Sequence, residues 1–405
     1  MDKQLNVAFV GVAFLGVILS RTPVIMAYST GEAIRMVADR LEADQVRKGS
    51  TAGIWPNEAD FTGSIVAGMV RAYELTCESA YKSSAELGGS YILRSAQGNF
   101  YGDEAFALTC LSDISSDPCN NPWQKAVKDF YSNVEGSVGT KSYIAQFASA
   151  EASTAVFYLA NHVVAAYYVN AKDKQLWRQG LIDRLAQVDD SSNFPVMGLG
   201  VAVWALSQSG PLDKMFVDPS TKGKPYWKLV TLAELPGLLL SHQVPVGEPN
   251  AGSFYWRFDH SDGGTDSYAC RYAEDTIFGT LGLIASGRAN PDLDLDAAIF
   301  AARQALLGGI DSEGKVYEHL SRQGEVHYAY AGEMLQALSG LAIPGDIDLS
   351  GSVDFVDLAI FADSWHTANC TACSWCNGGD LDRDTKVGCP DLAIIANNWL
   401  RGASH

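Results

Sequence analysis

The chain has 405 residues, of which 47% are hydrophobic and 19% charged, a composition that is typical of a globular core and excludes intrinsic disorder. Its 29 Lys and Arg residues stand against 47 Asp and Glu residues, so the formal net charge is −18. Nucleic acid and anionic membranes would both repel such a protein and are excluded as partners, whereas cations are compatible with it.

The N-terminal segment is apolar. Residues 7–20 form an uninterrupted apolar run after a weakly charged start. The run is shorter than the about 20 residues of a membrane-spanning helix, but it fits the core of a signal peptide. We therefore predict a signal peptide over residues 1–27, with cleavage near Ala27; a retained anchor, indicated by Arg21, is the alternative. The predicted location is secreted or cell-surface, where the eight Cys residues can form disulfides.

From residue 28 to residue 342 the pattern is helical. Ser29 and Glu32 form a capping-box signature, and apolar residues follow them at helical spacing. Alternation of β-branched residues is nearly absent, so a substantial sheet is not expected. Further helices are predicted over residues 61–76, 79–94, 103–111, 122–134, 144–168, 175–188, 196–208, 232–242, 268–285, 294–307 and 326–338.

The connections between these helices share a pattern. Gly-rich and aromatic turns, such as 98–102 and 252–256, precede helices rich in Ala, Gly and Leu, such as 197–206. Small residues allow burial on several sides, so these helices are predicted to form an inner layer. About a dozen helices in paired layers resemble an α/α toroid, the architecture of six-hairpin glycosidases, many polysaccharide lyases and terpenoid-cyclase-like proteins. The resemblance implies an all-α barrel of helical hairpins; an irregular helical solenoid is the alternative.

The composition changes at residues 343–345, which we predict to be a linker to a second domain over residues 346–405. Two segments of that domain repeat with an offset of 34 residues. Oxygen-bearing groups at loop positions 1, 3, 5, 7, 9 and 12 are what a calcium ion requires, and position 7 contributes its backbone carbonyl. The predicted ligands are Asp346, Asp348, Ser350, Ser352, Asp354 and Asp357 in the first loop and Asp380, Asp382, Asp384, Lys386 and Asp391 in the second.

Each loop runs into the same helix start, Asp-Leu-Ala-Ile, and no long helix enters the first loop. This duplicated loop-then-helix pattern resembles type I dockerins, the modules that attach enzymes to cohesin-bearing scaffolds. The resemblance implies a small all-α module with two Ca²⁺ sites and a cohesin-like or cell-surface partner. It places the partner-facing surface at Phe355, Val356, Cys389 and Pro390. An acidic solvated tail is the alternative interpretation.

The second domain departs from the dockerin pattern at three loop positions. Ser350 replaces a carboxylate, Thr385 replaces the glycine of the sharp turn, and Gly388 offers no side-chain ligand. We still expect both loops to bind Ca²⁺. The apolar residues Val353 and Val387 are expected to tie the two loops together in a short paired strand.

Cysteines are concentrated in the second domain, at positions 370, 373, 376 and 389. We predict disulfides of unspecified connectivity, because a module of about 60 residues has a marginal core. A tetrahedral zinc site is the alternative. In the helical domain, Cys110 and Cys119 are spaced to close a loop.

Carboxylates stand beside aromatic residues in the turns that lead into the predicted inner helices. Glycoside hydrolysis needs one protonated carboxylic acid at the leaving oxygen and a second carboxylate for water or the anomeric carbon. The sequence therefore predicts Asp103 or Glu104 as one catalytic group and Asp262 or Asp266 as the other. The residues predicted to bind substrate are Trp55, Tyr101, Trp256, His260 and Tyr328.

Structural roles explain several of these acids equally well. Asp103 and Asp266 fit the starts of helices, where a capping side chain is favoured, and Glu104 fits the acid of a first turn. Glu274 and Asp275 are interpreted as a polar pair on an inner face rather than as catalytic groups.

These features predict a secreted polysaccharide-degrading enzyme, a glycoside hydrolase or a polysaccharide lyase, that is held on a scaffold by a calcium-binding module. A lyase would need a base and a cation near a uronate, and Arg257, His260 and Tyr328 can supply them. A non-catalytic glycan-binding or structural protein with the same module is the alternative. A terpenoid cyclase is disfavoured, because an Asp-x-Asp-Asp run is absent from the helical domain.

Overall fold

The structure is a computed structural model that describes residues 28–115, 120–219, 224–261, 271–370, 375–376 and 378–401. The predicted signal peptide lies outside these residues, as do the predicted catalytic residues Asp262 and Asp266. Within the described ranges, no helix combines the length and the apolar character that crossing a membrane requires.

Long helices alternate between two concentric layers. Within the described residues, six helices form an inner ring in which each packs against the next and the last closes on the first. This closed ring confirms the α/α toroid and excludes an open solenoid. The inner helices are α2 (Thr62–Thr76), α4 (Gly102–Asp113), α7 (Ala152–Tyr168), α9 (Pro195–Gln208), α11 (Ala273–Ala289) and α13 (Tyr328–Gly340). The outer helices are α1 (Thr30–Asp44), α3 (Ser79–Ala96), α5 (Pro122–Asn133), α8 (Lys174–Leu185), α10 (Leu235–Ser241) and α12 (Asp296–Gly308).

The inner helices run in the same direction. The first turn of α2 contacts the first turn of α4 at Gly63 and Asp103. At the starts of α9 and α11, the backbone N–H of Met197 donates to the Asp275 carboxylate at 2.9 Å. All inner helices therefore begin at one end of the ring, which we call the front mouth, and end at the other, which we call the rear mouth.

Glycines allow the inner helices to approach closely. A Cβ atom on Gly68 of α2 would overlap the carbonyl of Gly332 on α13, and one on Gly200 of α9 would overlap the backbone of α11 at Gly279. Such backbone contacts explain why the predicted inner helices are rich in small residues. The described hydrophobic core of the toroid is continuous from Ala33 to Leu341.

Two predicted helices have different starts in the structure. The segment predicted at 144–168 contains a short helix, α6 (Thr140–Ala145), a 3₁₀ turn and then α7. Helix α7 begins anew because the Glu151 carboxylate accepts a hydrogen bond from the Thr154 backbone N–H at 2.8 Å. Before α13, strands β1 (Tyr317–His319) and β2 (Gln323–Val326) form an antiparallel hairpin, the only sheet among the described residues.

The C-terminal segment has its own small core. Helices α14 (Phe355–Asp363) and α15 (Cys389–Asn397) pack around a second hydrophobic cluster. A disulfide joins Cys370 to Cys376, so these two cysteines are not zinc ligands. Cys110 is a buried free thiol, while Cys119 lies outside the described residues.

The expected pairing of Val353 with Val387 is wrong. The Val353 N–H donates to the carbonyl of Arg401, and the Leu400 N–H donates back to Val353. Val387 exchanges the equivalent bonds with His366 and Thr367. Each loop is thus tied to the chain that follows a helix rather than to the other loop, and both valines are buried in the small core.

The first acidic loop, residues 346–357, lies directly on the toroid. The Gly31 N–H at the start of α1 donates to the Leu349 carbonyl at 3.2 Å. Arg303 of α12 approaches the Gly351 carbonyl at 3.4 Å. Arg401, after α15, forms an ion pair with Asp296 at 2.7 Å. Gly31 and Asp296 lie at the starts of outer helices, at the end of the molecule that carries the rear mouth, and Arg303 reaches the loop from the middle of α12.

Candidate active site

Two adjacent pairs of acids face each other across the front mouth. Asp103 and Glu104 lie in the first turn of α4, and Glu274 and Asp275 lie in the first turn of α11. Helices α4 and α11 are diametrically opposite, because three steps separate them in the six-membered ring of the described residues. In each pair the aspartate is buried and the glutamate is partly exposed.

The two aspartates support the helix starts. The Asp103 side chain is only 2% exposed and lies against Gly63 of the neighbouring inner helix. Burial, and then the nearby charge of Glu104, raise the pKa of Asp103 to about 7. Asp275 is fully buried and accepts the hydrogen bond from Met197 described above. Both aspartates are therefore less accessible than the glutamates beside them.

Glu104 and Glu274 are the accessible members of the two pairs. Burial raises the pKa of Glu104 to about 7, although its carboxylate accepts a hydrogen bond from the Tyr101 N–H at 2.9 Å. Burial also raises the pKa of Glu274 to about 7, against the opposing effects of a hydrogen bond to Tyr330 and the nearby His327. Two carboxyl groups that titrate near neutral pH therefore border the mouth from opposite sides.

A further acid, Glu333, lies one and a half turns into α13 and was missed by the sequence analysis. Its carboxylate is buried and accepts a hydrogen bond from the Ser64 hydroxyl at 3.1 Å. Burial, and then the charge of Glu274, raise the pKa of Glu333 well above its ordinary value. The charge of an ionised Glu274 therefore disfavours ionisation of Glu333.

Glu58 has a structural role at the same mouth. Its two carboxylate oxygens accept hydrogen bonds from the N–H groups of Tyr328 and Ala329 at 3.0 Å and 2.5 Å, which satisfies the start of α13. It also lies 3.4 Å from Nδ1 of His327, and that interaction raises the pKa of the imidazole.

The aromatic residues predicted to bind substrate separate into two groups. Tyr101 is 58% exposed and its ring packs 5.5 Å from that of Tyr158, so it offers a free face at the front mouth. Trp256 is partly exposed and packs near Phe194. Trp55, in contrast, is fully buried and donates to the Leu41 carbonyl at 2.7 Å, so its predicted role in sugar stacking is wrong.

His260 and Tyr328 lie in polar networks. His260 is exposed, stacks on Tyr255 at 4.0 Å, and its Nε2 lies 2.9 Å from Nδ1 of His242. The Tyr328 hydroxyl donates to Asp44 at 3.1 Å, and Asp44 also forms an ion pair with Arg40. These contacts fix the orientation of both side chains, but they do not indicate a catalytic role for either residue.

The predicted calcium loops bring carboxylates together as a cation site requires. Ligand atoms of Asp346, Asp348 and Asp357 lie within 4.8 Å of one another, as do those of a second group. The second group consists of Asp380, Asp382 and Asp384. Close carboxylates repel one another unless a cation lies between them, so the residues present fit a hard divalent ion.

The repeated loops also share a backbone frame. Asp357 accepts hydrogen bonds from the N–H groups of Ile347, Asp348 and Asp354, and Asp391 accepts the equivalent bonds in the second loop. The hydroxyl of Ser350 lies 3.3 Å from the Ser352 carbonyl. Asp357 belongs to the three-carboxylate group of its loop, whereas the predicted ligand Asp391 lies outside that of the second loop.

No protein-family profile matches the sequence, and no curated protein matches it at a significant level. Solved structures do share the architecture. An unsaturated glucuronyl hydrolase specific for heparin aligns with a TM-score of 0.53 at 12% identity, over 79% of this chain and 97% of that one. An inactive variant of an alpha-1,6-mannanase of Salegentibacter sp. HEL1_6, in complex with alpha-1,6-mannotriose, aligns with a TM-score of 0.50 at 12% identity, over 77% and 99%. The chain has the α/α-toroid fold of these hydrolases.

A third structure, a mutant unsaturated glucuronyl hydrolase from Streptococcus agalactiae, aligns with a TM-score of 0.50 at 14% identity, over 77% of this chain and 90% of that one. The aligned share corresponds in length to the toroid. The opposed acid pairs at the front mouth therefore belong to the part of the chain that has this fold.

Proposed function

We propose that the protein is a glycoside hydrolase that cleaves a polysaccharide at the front mouth, with Glu104 and Glu274 as its two catalytic carboxyl groups. The observation that carries this proposal is the opposition of the two acid pairs, each with one accessible glutamate whose pKa is about 7. The printed names of two aligned structures describe hydrolases acting on glycans, which supports the same class of chemistry.

Glu274 is the proton donor in this proposal. Burial raises the pKa of Glu274 to about 7 and the residue is partly exposed, so a protonated fraction is present at neutral pH and can protonate the leaving glycosidic oxygen. Glu104, held by the Tyr101 N–H at the positive end of α4, supplies the carboxylate that activates water or attacks the anomeric carbon. Tyr101 supports a sugar ring beside it.

Activity on a panel of plant, algal and fungal polysaccharides tests the proposal. We expect new reducing ends without the ultraviolet absorbance of an unsaturated uronate, which a lyase would produce. Glu274→Gln should abolish polysaccharide cleavage but retain most activity on an aryl glycoside with a good leaving group, because such a bond needs no acid. Glu104→Gln should abolish both activities, since the second carboxylate is needed with either substrate.

Glu86→Gln on the outer helix α3 is the matched control and should behave as the unmodified protein. Asp262→Asn tests the acid predicted from the sequence outside the described residues. Full activity of both Glu104→Gln and Glu274→Gln would refute the site, and binding without turnover on every glycan would favour a non-catalytic glycan-binding protein.

We further propose that the C-terminal segment is a dockerin-like module that binds Ca²⁺ and a cohesin-like partner on a scaffold or cell surface, consistent with export. Phe355 is 75% exposed and Val356 53% exposed at the start of α14. The Phe355 ring packs edge-on against Trp399 at 5.0 Å, which fixes an apolar projection on the surface. Cys389 is exposed at the equivalent place in the second repeat.

Binding to a panel of cohesin domains with and without Ca²⁺ tests this second proposal. We expect binding that chelator removes and that Phe355→Ala weakens by about tenfold or more, as for an aromatic residue central to an interface. Phe300→Ala, which removes another exposed aromatic ring from the outer helix α12, is the control. Binding that survives chelation, or that is unaffected by Phe355→Ala, would contradict the proposed module.

A further inference from the structure

A cavity of about 550 Å³ opens at the rear mouth, far from the opposed acids. It is lined by the last turns of α2, α9, α11 and α13, and by Arg383 from the second acidic loop of the C-terminal segment. Its volume lies within the range of about 300–1,000 Å³ that is typical of small-molecule sites.

Three arginines border this cavity, although the protein as a whole is strongly acidic. Arg71 is neutralised by Glu74, whose carboxylate lies 2.6 Å from Nη1. Arg288 donates from Nη2 to the Gly340 carbonyl at 2.9 Å, and burial and the nearby charge of Arg71 lower its pKa. Arg383 lies over the Trp375 ring at 5.6 Å. One acid therefore stands against three arginines in the lining, and Asp113, just outside it, interacts with Arg71 and Arg383. The lining itself carries a net positive charge.

The floor of the cavity is aromatic and its wall is polar. Trp204 and Phe106 line it, with their rings packed edge to face at 5.2 Å. The hydroxyls of Ser207 and Ser339 belong to the same lining, and neither has a hydrogen-bond partner among the described residues. An aromatic floor favours the apolar face of a sugar ring, and unsatisfied hydroxyls favour a ligand rich in hydrogen-bonding groups.

We propose that the rear cavity binds a sugar that carries an oxyanion, a carboxylate or a sulfate ester, with Arg288 and Arg383 holding the anion and Trp204 contacting the ring. Guanidinium groups bind such oxyanions by charge-assisted hydrogen bonds. The site is separate from the front mouth, so it gives the protein a second contact with an acidic glycan and does not depend on catalysis.

Isothermal titration of the full chain in Ca²⁺-containing buffer tests the proposal with four probes: D-glucuronate, D-glucose 6-sulfate, D-glucose and sodium sulfate. We expect one of the two acidic sugars to bind. Both D-glucose and inorganic sulfate should bind at least about tenfold more weakly, because D-glucose lacks the anion and sulfate lacks the sugar ring. The better acidic sugar identifies the anion. Failure of both acidic sugars to bind, or equal binding of D-glucose or of sulfate, would overturn the proposal.

Variants on separate elements locate the site. Arg288→Gln in α11 and Arg383→Gln in the second loop should each weaken binding of the acidic sugar by about tenfold, the effect of one charge-assisted hydrogen bond. Arg47→Gln, which removes an exposed arginine near the front mouth, should leave binding unchanged. Glu274→Gln should also leave it unchanged, which separates this site from the proposed catalytic one. The assignment would be contradicted if Arg47→Gln weakened binding of the acidic sugar as much as the rear-mouth variants do. It would also be contradicted if neither Arg288→Gln nor Arg383→Gln weakened binding.

Discussion

In each acid pair at the front mouth, the two neighbouring residues lie in different surroundings. Asp103 and Asp275 are buried where inner helices start, and Asp275 joins α11 to α9 through the Met197 N–H. The next or preceding residue along the chain, Glu104 or Glu274, points to a less buried place and keeps a carboxyl group near the mouth. A helix turns by about 100° per residue, so adjacent residues necessarily serve different surroundings.

The raised pKa values make a prediction about pH. Glu274 must be protonated and Glu104 ionised for the proposed reaction, and burial raises the pKa of each to about 7. We therefore expect kcat/KM to fall both below and above about pH 7, which gives a narrow bell-shaped profile. In Glu274→Gln with an aryl glycoside, the alkaline decline should disappear while the acid decline remains. An alkaline decline that persists in this variant would assign the proton donor to another group.

At the scale of elements, the inner ring depends on helices that approach through glycine. Gly68 of α2 faces the backbone of Gly332 on α13. Helix propensity alone would favour alanine at such a position. The packing of the ring overrides that preference, since backbone contact between adjacent inner helices leaves no room for a methyl group.

Matched glycine substitutions test this account of the ring. Gly68→Ala should lower the free energy of unfolding by about 1–3 kcal/mol, because its methyl group would overlap the Gly332 carbonyl. Gly237→Ala in α10 has open space around its Cβ and should raise the free energy of unfolding by about 0.5–1 kcal/mol. Chemical denaturation measures both. A stabilising Gly68→Ala would show that the ring relaxes around the added group.

Local sequence patterns predicted the helices more accurately than the contacts between them. The helices, the inner layer of small residues and the predominantly helical fold follow from spacing and composition, which are properties of short segments. Glu274 was interpreted as a polar inner-face residue, because only closure of the ring shows that α11 stands opposite α4. The sequence predicts sugar stacking for Trp55, but its indole N–H donates to the Leu41 carbonyl in the core. Contacts between distant segments decide these roles, and a pattern along the chain does not contain them.

At the scale of the whole molecule, the first acidic loop has two faces. The predicted ligands Asp346 and Asp348 alternate with Leu349 and Gly351, whose carbonyls meet the toroid at Gly31 and Arg303. The loop winds around its own carboxylates, with Leu349 and Gly351 at positive φ, so the carboxylates gather on one side and the carbonyls of Leu349 and Gly351 contact the toroid on the other. An ion bound to the first face therefore rigidifies the second.

This arrangement predicts that calcium stabilises the toroid. Adding Ca²⁺ to the chelator-treated protein should raise the melting temperature of the toroid, because the ion binds only the folded loop that contacts it. Asp348→Asn in the first loop should abolish most of this shift. Asp382→Asn, the matched change in the second loop, should preserve more of it, since the contacts with Gly31 and Arg303 belong to the first loop. Calorimetry measures the shifts, and an equal shift in both variants would disconnect the first loop from the toroid.

The short connection between α13 and the first acidic loop has a geometric consequence. Only about five residues separate Gly340 from Asp346, and the loop is then fixed by contacts at the rear of the ring. The toroid therefore has little freedom to move relative to the C-terminal segment. A scaffold bound at Phe355 would therefore hold the front mouth, with Glu104 and Glu274, in one fixed orientation, and that orientation would limit which polysaccharide chains can reach it.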